Sequence, residues 1–346
     1  MTEASPWWSP ERHADRRGRL LARGAIKRAL RGWFEDRGFN EIEAGQLVVS
    51  PGAEAHLHAF RTEAIGPDGA ARPLYLHTSP EFAAKKLLAA GETAIFDFAR
   101  VFRNRERGAL HAAEFTMLEW YRAHAPWDAV MDDACALLRT AAEACGVRAL
   151  GWRDRICDPF LAAERLSVAD AFGRFAGIDL TATLDERGEG RRDALAGPAA
   201  ALGLRVADDD SWSDLFSKVL VAWIEPHLGL HAPVLLHSYP ACEAALARRS
   251  PHDPRFAERF ELYACGVELA NGFGELTDPV EQRARFAAEM ALKARLYGET
   301  QPVDEDLLAA LALMPPASGV AMGFDRLVML CVGARHIDDV LWTPTP

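Results

Sequence analysis

The stretch TAIFDFARVFRNRERGALHAAEFTMLEWYRA, residues 93–123, contains two segments that are rich in β-branched and aromatic residues. These segments, 93–105 and 113–123, are separated by the polar sequence ERGALHA. Two such segments joined by a polar connection predict an antiparallel β-hairpin with a longer loop. Arg103 is then expected at the mouth of the hairpin, where the first strand ends.

The segments around this hairpin alternate between helices and short strands. Apolar residues at helical spacing predict an amphipathic helix over 20–34 and another helix over 281–297. RPLYLHTSP (72–80) is predicted to be a strand that runs into a helix, with Ser79 as its N-cap. SGVAMGFDRLVMLCVG (318–333) is predicted to be a closing strand-to-helix unit. Helices inserted between antiparallel strands indicate the α+β class, an antiparallel sheet flanked by helices.

Composition is typical of an ordinary globular protein. The 346 residues are 49% hydrophobic and 26% charged, and the net charge of −11 provides no general basic field for nucleic acid. We expect residues 1–346 to form one domain, with the charged segment 180–210 as a linker or surface excursion. The chain shows neither a signal peptide nor an apolar stretch that could span a membrane, so a cytoplasmic location is predicted.

The sequence contains neither the GxxxxGK[ST] loop nor a strand-linked GxGxxG. Side chains would therefore have to neutralise the phosphates of any bound nucleotide. Arg103 and Arg326 are the candidates, because a guanidinium stays charged and donates two parallel hydrogen bonds to phosphate. The alternative for each is an ordinary solvated arginine.

The stretch ELANGFGELTD (268–278) places two acids seven residues apart. Glu268 lies between Val267 and Leu269, where an unpaired charge is costly, so Glu268 and Glu275 are candidate Mg²⁺ ligands. Asn271 is predicted to form, with the following glycine, a turn that brings the second acid round. The alternative is an edge strand with two solvated acids.

Three further polar residues are candidates for binding an amine. Glu81 begins a predicted helix, where the helix dipole favours acids in any case. Glu119 and Tyr121 share one face of a hydrophobic strand, because they are two residues apart. This pair could receive a ligand ammonium or could form a single structural hydrogen bond.

Taken together, these stretches resemble the three motifs of class II aminoacyl-tRNA synthetases, in their lysyl subgroup. The first helix with GFNEIEAGQLVVSP resembles motif 1, the dimer segment, and FRNRERGALHAAEFTMLEWYR resembles motif 2. SGVAMGFDRLVML resembles motif 3, while TSPE and ELANGFGELTD are similar to the lysyl-type substrate segments.

About 20 residues precede motif 1, too few for an N-terminal anticodon-binding OB domain, so tRNA anticodon recognition is not expected. A chain of this kind resembles the elongation factor P–(R)-β-lysine ligase family. Ala321, which stands where lysyl synthetases usually have glycine, agrees with this resemblance. It implies a homodimeric ligase that activates (R)-β-lysine or lysine with ATP and Mg²⁺ and transfers it to a lysine of elongation factor P.

The resemblance also implies roles for individual residues. Arg103 would contact the α-phosphate and Arg326 the γ-phosphate, and these two residues with Glu268 would be catalytic. The ATP site would contain Arg103, Asn104, Arg105, Glu268, Leu269, Gly323 and Arg326. The amino-acid pocket would contain Ser79, Pro80, Glu81, Glu119, Tyr121, Asn271, Glu275 and Ala321. Glu268 and Glu275 would serve Mg²⁺.

This sequence departs from the family pattern at several positions. Arg105 replaces the glutamate expected near the adenine, for which Glu106 could substitute if the loop shifts. Ala112 and Ala113 replace Asn and Pro, and Gly45 replaces a proline in motif 1. Arg105 and Ala112 favour one alternative, a catalytically silent paralogue that acts as a binding or regulatory subunit. A second alternative is an amino-acid ligase with another acceptor.

Overall fold

The computed structural model describes residues 6–345, which form a large sheet flanked by helices. The helices are α1 (Pro10–Glu35), α2 (Glu81–Ala89), α3 (Trp127–Cys145), α4 (Val168–Ala171), α5 (Arg192–Ala201), α6 (Trp212–Val219), α7 (Pro279–Tyr297), α8 (Glu305–Leu311) and α9 (Phe324–Val332). The first strands are β1 (Asn40–Glu41), β2 (Leu47–Val48), β3 (Arg61–Ile65), β4 (Ala71–Leu76), β5 (Ala94–Phe102), β6 (Glu114–Ala123), β7 (Leu150–Trp152) and β8 (Arg155–Cys157). The remaining strands are β9 (Glu164–Ser167), β10 (Val234–Pro240), β11 (Phe256–Ala264), β12 (Val267–Gly274) and β13 (Ala317–Gly323).

The main sheet has eight strands in the order β1-β5-β6-β13-β12-β11-β10-β9. Its six central strands pair antiparallel, while β1 and β9 pair parallel with β5 and β10. The predicted α+β class with an antiparallel sheet flanked by helices is confirmed, and the parallel pairings are confined to the edges. The remaining strands form small sheets, β2-β4-β3 and β7-β8.

The hairpin predicted from residues 93–123 is confirmed. Its strands β5 and β6 pair from Ala94 opposite Arg122 to Phe102 opposite Glu114. Phe96, Leu118 and Trp120 are at most 1% exposed. They face a core that α1, α3 and α9 cover, which leaves the opposite face of the sheet available for a ligand.

The first helix is longer than predicted, because it begins at Pro10 rather than near residue 20. Ser9 accepts a hydrogen bond from the backbone N–H of Arg12 and so caps the helix, and proline suits its first position. The added turns are charged, but Arg16 is buried there and donates to the backbone oxygens of Asp338 and Leu341. The helix was predicted from the spacing of apolar residues, and this spacing gives no sign of a buried arginine that bonds to backbone oxygens.

The interpretation of 180–210 as a linker or surface excursion is wrong. This segment contains α5, and its side chains Leu180, Leu184 and Leu195 are at most 5% exposed. They belong to a second hydrophobic cluster that includes Trp212 and Tyr239, the latter on β10. The many charged residues of the segment lie on its solvent-exposed side. Its amino-acid composition therefore did not indicate that the other side is buried.

The predicted turn at Asn271 and Gly272 is also wrong, because both residues lie within the central strand β12. Asn271 pairs with Ala321 on one side and with Glu261 on the other. A Cβ atom on Gly272 would lie 2.4 Å from the ring of Phe260, so glycine is required here for close packing rather than for a turn. The edge-strand alternative is excluded by the same pairings. Within residues 6–345, no helix is both long and apolar enough to cross a membrane.

Candidate active site

A cavity of about 310 Å³ opens on the uncovered face of the main sheet. Strands β6, β12 and β13 border it, together with the loop after β5 and the first turn of α9. The predicted residues that line it are Ser79, Glu81, Arg103, Glu268, Leu269, Asn271, Ala321, Gly323 and Arg326. The predicted residues outside its lining are Pro80, Asn104, Arg105, Glu119, Tyr121 and Glu275.

A β-bulge in β12 brings two of the lining residues to the same face. Leu262 pairs with Ala270 while Tyr263 pairs with Glu268, so Leu269 is the extra residue of the bulge. Bulges are common next to active sites because they redirect side chains. Glu268 and Asn271 therefore both line the cavity, although strict alternation would put residues three apart on opposite faces.

Two arginines form the basic wall of the cavity. Arg326 donates to the backbone oxygens of Glu268 at 3.0 Å and Leu110 at 3.3 Å, and its Nη2 lies 2.8 Å from His111 Nε2. Arg103 donates to the backbone oxygen of Thr78 at 3.4 Å. The side chains of Arg326 and Arg103 are only 21% and 23% exposed. Both guanidiniums are thus held at the cavity, and the alternative of ordinary solvated arginines is wrong.

Glu268 faces these arginines, and its side chain is 40% exposed to the cavity. Its Oε2 lies 3.5 Å from Arg326 Nη1. Burial, and next the charge of Glu261, raise the pKa of Glu268, while Arg326 opposes this shift. Glu261 is itself buried and accepts hydrogen bonds from Tyr239 and Tyr263 at 2.6 and 2.7 Å. Glu261 lies behind the cavity wall, and its Oε1 is paired with Arg259 Nη2 at 2.6 Å.

At the other end of the cavity, Glu119 is buried beneath the lining residues. Ser79 Oγ donates to its Oε1, and the Tyr121 hydroxyl donates to its Oε2 at 2.9 Å. Burial, and next the charge of Glu81, raise the pKa of Glu119 to about 8. Ala321 pairs with Glu119 across β13 and β6, so its methyl group borders this acid.

A buried lysine links the remaining two acids. Lys85 is 1% exposed, and its Nζ lies 2.6 Å from Glu81 Oε1 and 2.7 Å from Glu275 Oε2. Although burial alone lowers the pKa of Lys85, Glu275 and Glu81 raise it overall. Glu275 is 1% exposed, and burial raises its pKa to about 7. The acidic end is therefore a desolvated cluster with an internal counterion.

The structure places the two acids of the predicted metal pair, Glu268 and Glu275, in different surroundings. Glu268 lines the basic wall, whereas Glu275 is buried against Lys85 and does not reach the cavity. Because Asn271 continues the strand instead of turning, the second acid is not brought round to the first. Among residues 6–345, no group of three or more His, Cys, Asp or Glu side chains is arranged to hold a metal.

Arg105 and Asn104 also lie away from the cavity. Arg105 has a left-handed backbone (φ +63°), and its Nη2 donates to Glu299 Oε1 at 2.6 Å. Asn104 Oδ1 accepts from the Arg105 backbone N–H at 2.9 Å and so stabilises this conformation. Glu106 instead lines the cavity, with its Oε1 4.0 Å from Arg103 Nη1. The structure thus brings Glu106, rather than residue 105, to the cavity.

Several residues at the site were not predicted from the sequence. Lys85 was recognisable only as the i+4 partner of Glu81 on a helix. Glu54 lines the cavity from a loop with no regular pattern, and His111 lies in the hairpin loop beside Arg326. Burial, and next the charge of Arg326, lower the pKa of His111, so the imidazole is neutral near pH 7.

The chain is similar to known proteins along nearly its whole length. The family model of class II tRNA synthetases (D, K and N) matches residues 8–345. The elongation factor P–(R)-β-lysine ligase of Vibrio cholerae is 40% identical over 331 residues, covering 94% of this chain and 95% of the relative. The enzyme of the same name from Edwardsiella ictaluri is 41% identical over 327 residues, covering 93% of each chain. The one from Photorhabdus laumondii is 40% identical over 348 residues, covering 99% and 98%.

Proposed function

This chain belongs to the class II tRNA synthetase family and, within it, to the elongation factor P–(R)-β-lysine ligases, and on that premise we propose its substrates and mechanism. The enzyme is an amino-acid ligase. We propose that it activates (R)-β-lysine, or lysine, with ATP as an acyl-adenylate. The activated acyl group then passes to a lysine side chain of elongation factor P.

The opposite charges of the two cavity ends carry this proposal. Arg103 and Arg326 form a wall suited to a polyphosphate, because planar guanidiniums bind phosphate oxygens in pairs. Glu81, Glu119 and Glu275 surround the other end, and Lys85 compensates for one of them. The surplus of acid matches a substrate that carries two ammonium groups. A site of this polarity orients the substrate carboxylate towards the phosphates.

In the first step the substrate carboxylate attacks the α-phosphorus of ATP in line, and pyrophosphate leaves. Catalysis of this kind depends mainly on positioning and charge neutralisation. Arg103 neutralises the α-phosphate, on which negative charge develops, and Arg326 holds the γ-phosphate of the departing pyrophosphate. The contacts of Asn104 and Arg105 hold the hairpin loop from outside the cavity. We therefore propose that Glu106, which lines the cavity, contacts the nucleotide instead of these two residues.

We propose that Glu268 would hold Mg²⁺ together with phosphate oxygens of ATP, because this ion prefers one or two carboxylates plus substrate phosphates to an all-protein site. Glu268 lines the cavity beside the arginines that would bind those phosphates. Glu275, the second predicted ligand, is paired with Lys85 in this structure. When bound, the ion would neutralise and orient phosphate oxygens. Leu269 and Gly323 line the cavity beside this wall, as a nucleotide site requires.

A homodimer in the cytoplasm belongs to the same proposal. Exposed apolar side chains of the N-terminal segment support it, since a second copy could cover them. These are Trp8, Leu21, Leu47 and Val49, which are 66%, 49%, 58% and 53% exposed. Sedimentation equilibrium tests this part, and a mass of one chain at micromolar concentration would exclude it.

ATP–pyrophosphate exchange with Mg²⁺ tests the activation step, across (R)-β-lysine, (S)-β-lysine, α-lysine and other amino acids. We expect exchange to be fastest with (R)-β-lysine. One observation favours a silent paralogue: Ala112 is 1% exposed in the cavity wall and offers no polar side-chain atom to a nucleotide. Absence of exchange with every amino acid, in folded protein, would support that alternative and exclude the ligase.

A further inference from the structure

One acid of the cavity has no counterion. The acidic residues that line it are Glu54, Glu81, Glu106, Asp325 and Glu268. Glu81 pairs with Lys85, Glu106 with Arg103, Asp325 with Arg23 and Glu268 with Arg326. Within residues 6–345, Glu54 is the lining acid that has no cationic nitrogen within 4.0 Å and no side-chain hydrogen-bond donor. Its carboxylate therefore has no ion pair and, beside a hydrogen bond from its own backbone N–H, can still accept a proton.

The backbone around Glu54 is fixed by α7. The Ala55 N–H donates to Glu289 at 2.9 Å, and the buried Lys293 donates to the Glu54 backbone oxygen at 3.4 Å. The Glu54 carboxylate lies over Gly52, where an added Cβ would be 2.9 Å from Oε2. Gly52 also has φ +134°, a region that favours glycine. The loop thus holds an unpaired carboxylate in a defined place.

Glu54 also borders a second, smaller cavity. This cavity has a volume of about 20 Å³ and shares Glu54, Ser79 and Glu81 with the main one. The volume suffices for about one water, and the walls offer polar groups from Ser50 and Thr78. The Glu54 carboxyl group thus borders both cavities.

The surroundings of Glu54 raise the pKa of its carboxyl group. Burial, and next the negative charge of Glu81, raise its pKa, and Glu289 adds to this effect. Arg103 acts in the opposite direction. The ammonium of Lys293 faces the same loop, and burial lowers its pKa. An acid with a raised pKa is better matched to proton transfer at neutral pH than a solvated carboxylate.

We propose that Glu54 is the general base that deprotonates the acceptor amine in the transfer step. This inference rests on the proposed function, because it concerns the second half of that reaction. The acceptor ammonium gives one proton to the Glu54 carboxylate, and the freed lone pair forms the C–N bond at the acyl carbon. The C–O bond to phosphate breaks and its electron pair leaves with AMP. The remaining extra proton on nitrogen passes to the AMP phosphate.

Two nucleophiles test this role in the Glu54→Gln variant. One is unmodified elongation factor P, whose lysine is protonated at pH 7, and the other is hydroxylamine, which is already neutral and needs no base. With preformed adenylate, we expect transfer to elongation factor P to slow by about 10²–10⁴-fold. We expect the loss with hydroxylamine to be at least tenfold smaller. The same substitution at exposed Glu63 on β3 serves as the matched control.

The pH dependence provides a second readout. The wild-type transfer rate should rise and level off as Glu54 ionises, whereas the rate of Glu54→Gln should rise about tenfold per pH unit without levelling, following the free amine. Equal losses with both nucleophiles, or an unchanged transfer rate, would overturn the assignment of Glu54. Absence of pyrophosphate exchange in the wild type would instead overturn the proposed function on which it rests.

Discussion

The two ends of the cavity use charge in different ways. At the basic end, Arg103 and Arg326 are about one-fifth exposed and are held by backbone oxygens. At the acidic end, Lys85, Glu119 and Glu275 are at most 2% exposed. The basic end can therefore accept an anion without breaking an internal ion pair, whereas every charge added to the acidic end alters a desolvated network.

The two ends should therefore contribute differently to activity and to folding stability. A partly exposed arginine contributes mainly to ligand binding and to stabilisation of the transition state. It contributes less to folding stability, because water can fill the space that it leaves and solvate its former partners. A buried ion cluster contributes to stability as well, since removal of one member leaves an uncompensated charge in a low-dielectric environment. Substitutions at the basic end should alter rates, and those at the acidic end should alter both stability and specificity.

The largest effect is expected at the basic end. Arg326→Ala should lower pyrophosphate exchange by about 10³-fold, because one preorganised group on the phosphates is lost. The free energy of unfolding should change by less than about 1 kcal/mol. Steady-state exchange and urea unfolding measure the two quantities. Arg335→Ala, at an exposed arginine in the segment that follows this helix, is the control and should behave like the wild type. A variant that retained wild-type exchange would remove Arg326 from the site.

The reverse pattern is expected at the acidic end. Lys85→Met should lower the free energy of unfolding by about 3–5 kcal/mol, because Glu81 and Glu275 lose their shared counterion. Arg283→Met is the matched control, because the side chains of Arg283 and its partner Glu305 are 53% and 64% exposed, so a far smaller loss is expected. Urea denaturation compares the pair. Equal losses would mean that the buried cluster has no special energetic role.

Glu119 should make stability depend on pH. Its pKa is raised from 4.5 to about 8, so the native state binds more protons than the unfolded state between these values. The stability that Glu119 contributes is complete below about pH 4.5 and is lost as pH rises through about 8. Glu119→Gln, which cannot ionise, should therefore gain stability relative to the wild type as pH rises, by a few kcal/mol. Urea unfolding at pH 5, 6.5 and 8 checks this, and a constant difference would contradict it.

The smallest effect concerns specificity. Ala321 borders Glu119 on one side and Asn271 on the other. Ala321→Gly should shift the ratio of kcat/KM between (R)-β-lysine and α-lysine by about tenfold towards α-lysine, since a single methyl group in a pocket is worth that much. Pyrophosphate exchange at limiting substrate measures the ratio. An unchanged ratio would show that Ala321 does not shape the amino-acid pocket.

Local patterns made part of this site predictable. The hairpin, the strand-to-helix unit and both arginines follow from residues that are neighbours in sequence. Ser79 was expected to be the N-cap of α2; the N-cap is Pro80, one residue later, although the Ser79 hydroxyl accepts from the Glu81 backbone N–H at 3.0 Å. Features of this kind depend on alternation and on helix ends, which a single sequence displays directly.

The remaining features of the site depend on contacts between segments that are distant in sequence, so local patterns could not predict them. Asn-Gly resembles a turn, but the ring of Phe260 and the strand β13 determine that it lies within a strand. The pairing of Glu275 with Lys85 joins residues 190 positions apart, so the sequence did not reveal this counterion. Glu54 is likewise brought to the cavity by tertiary structure. None of these contacts leaves a periodic signal.

The most direct test of the central claim is the intact mass of elongation factor P after incubation with the enzyme, ATP, Mg²⁺ and (R)-β-lysine. We expect the mass to increase by one β-lysyl group on a single lysine, with no increase when ATP is omitted. An unchanged mass, in a preparation that catalyses pyrophosphate exchange, would contradict elongation factor P as the acceptor and leave a ligase with a different acceptor.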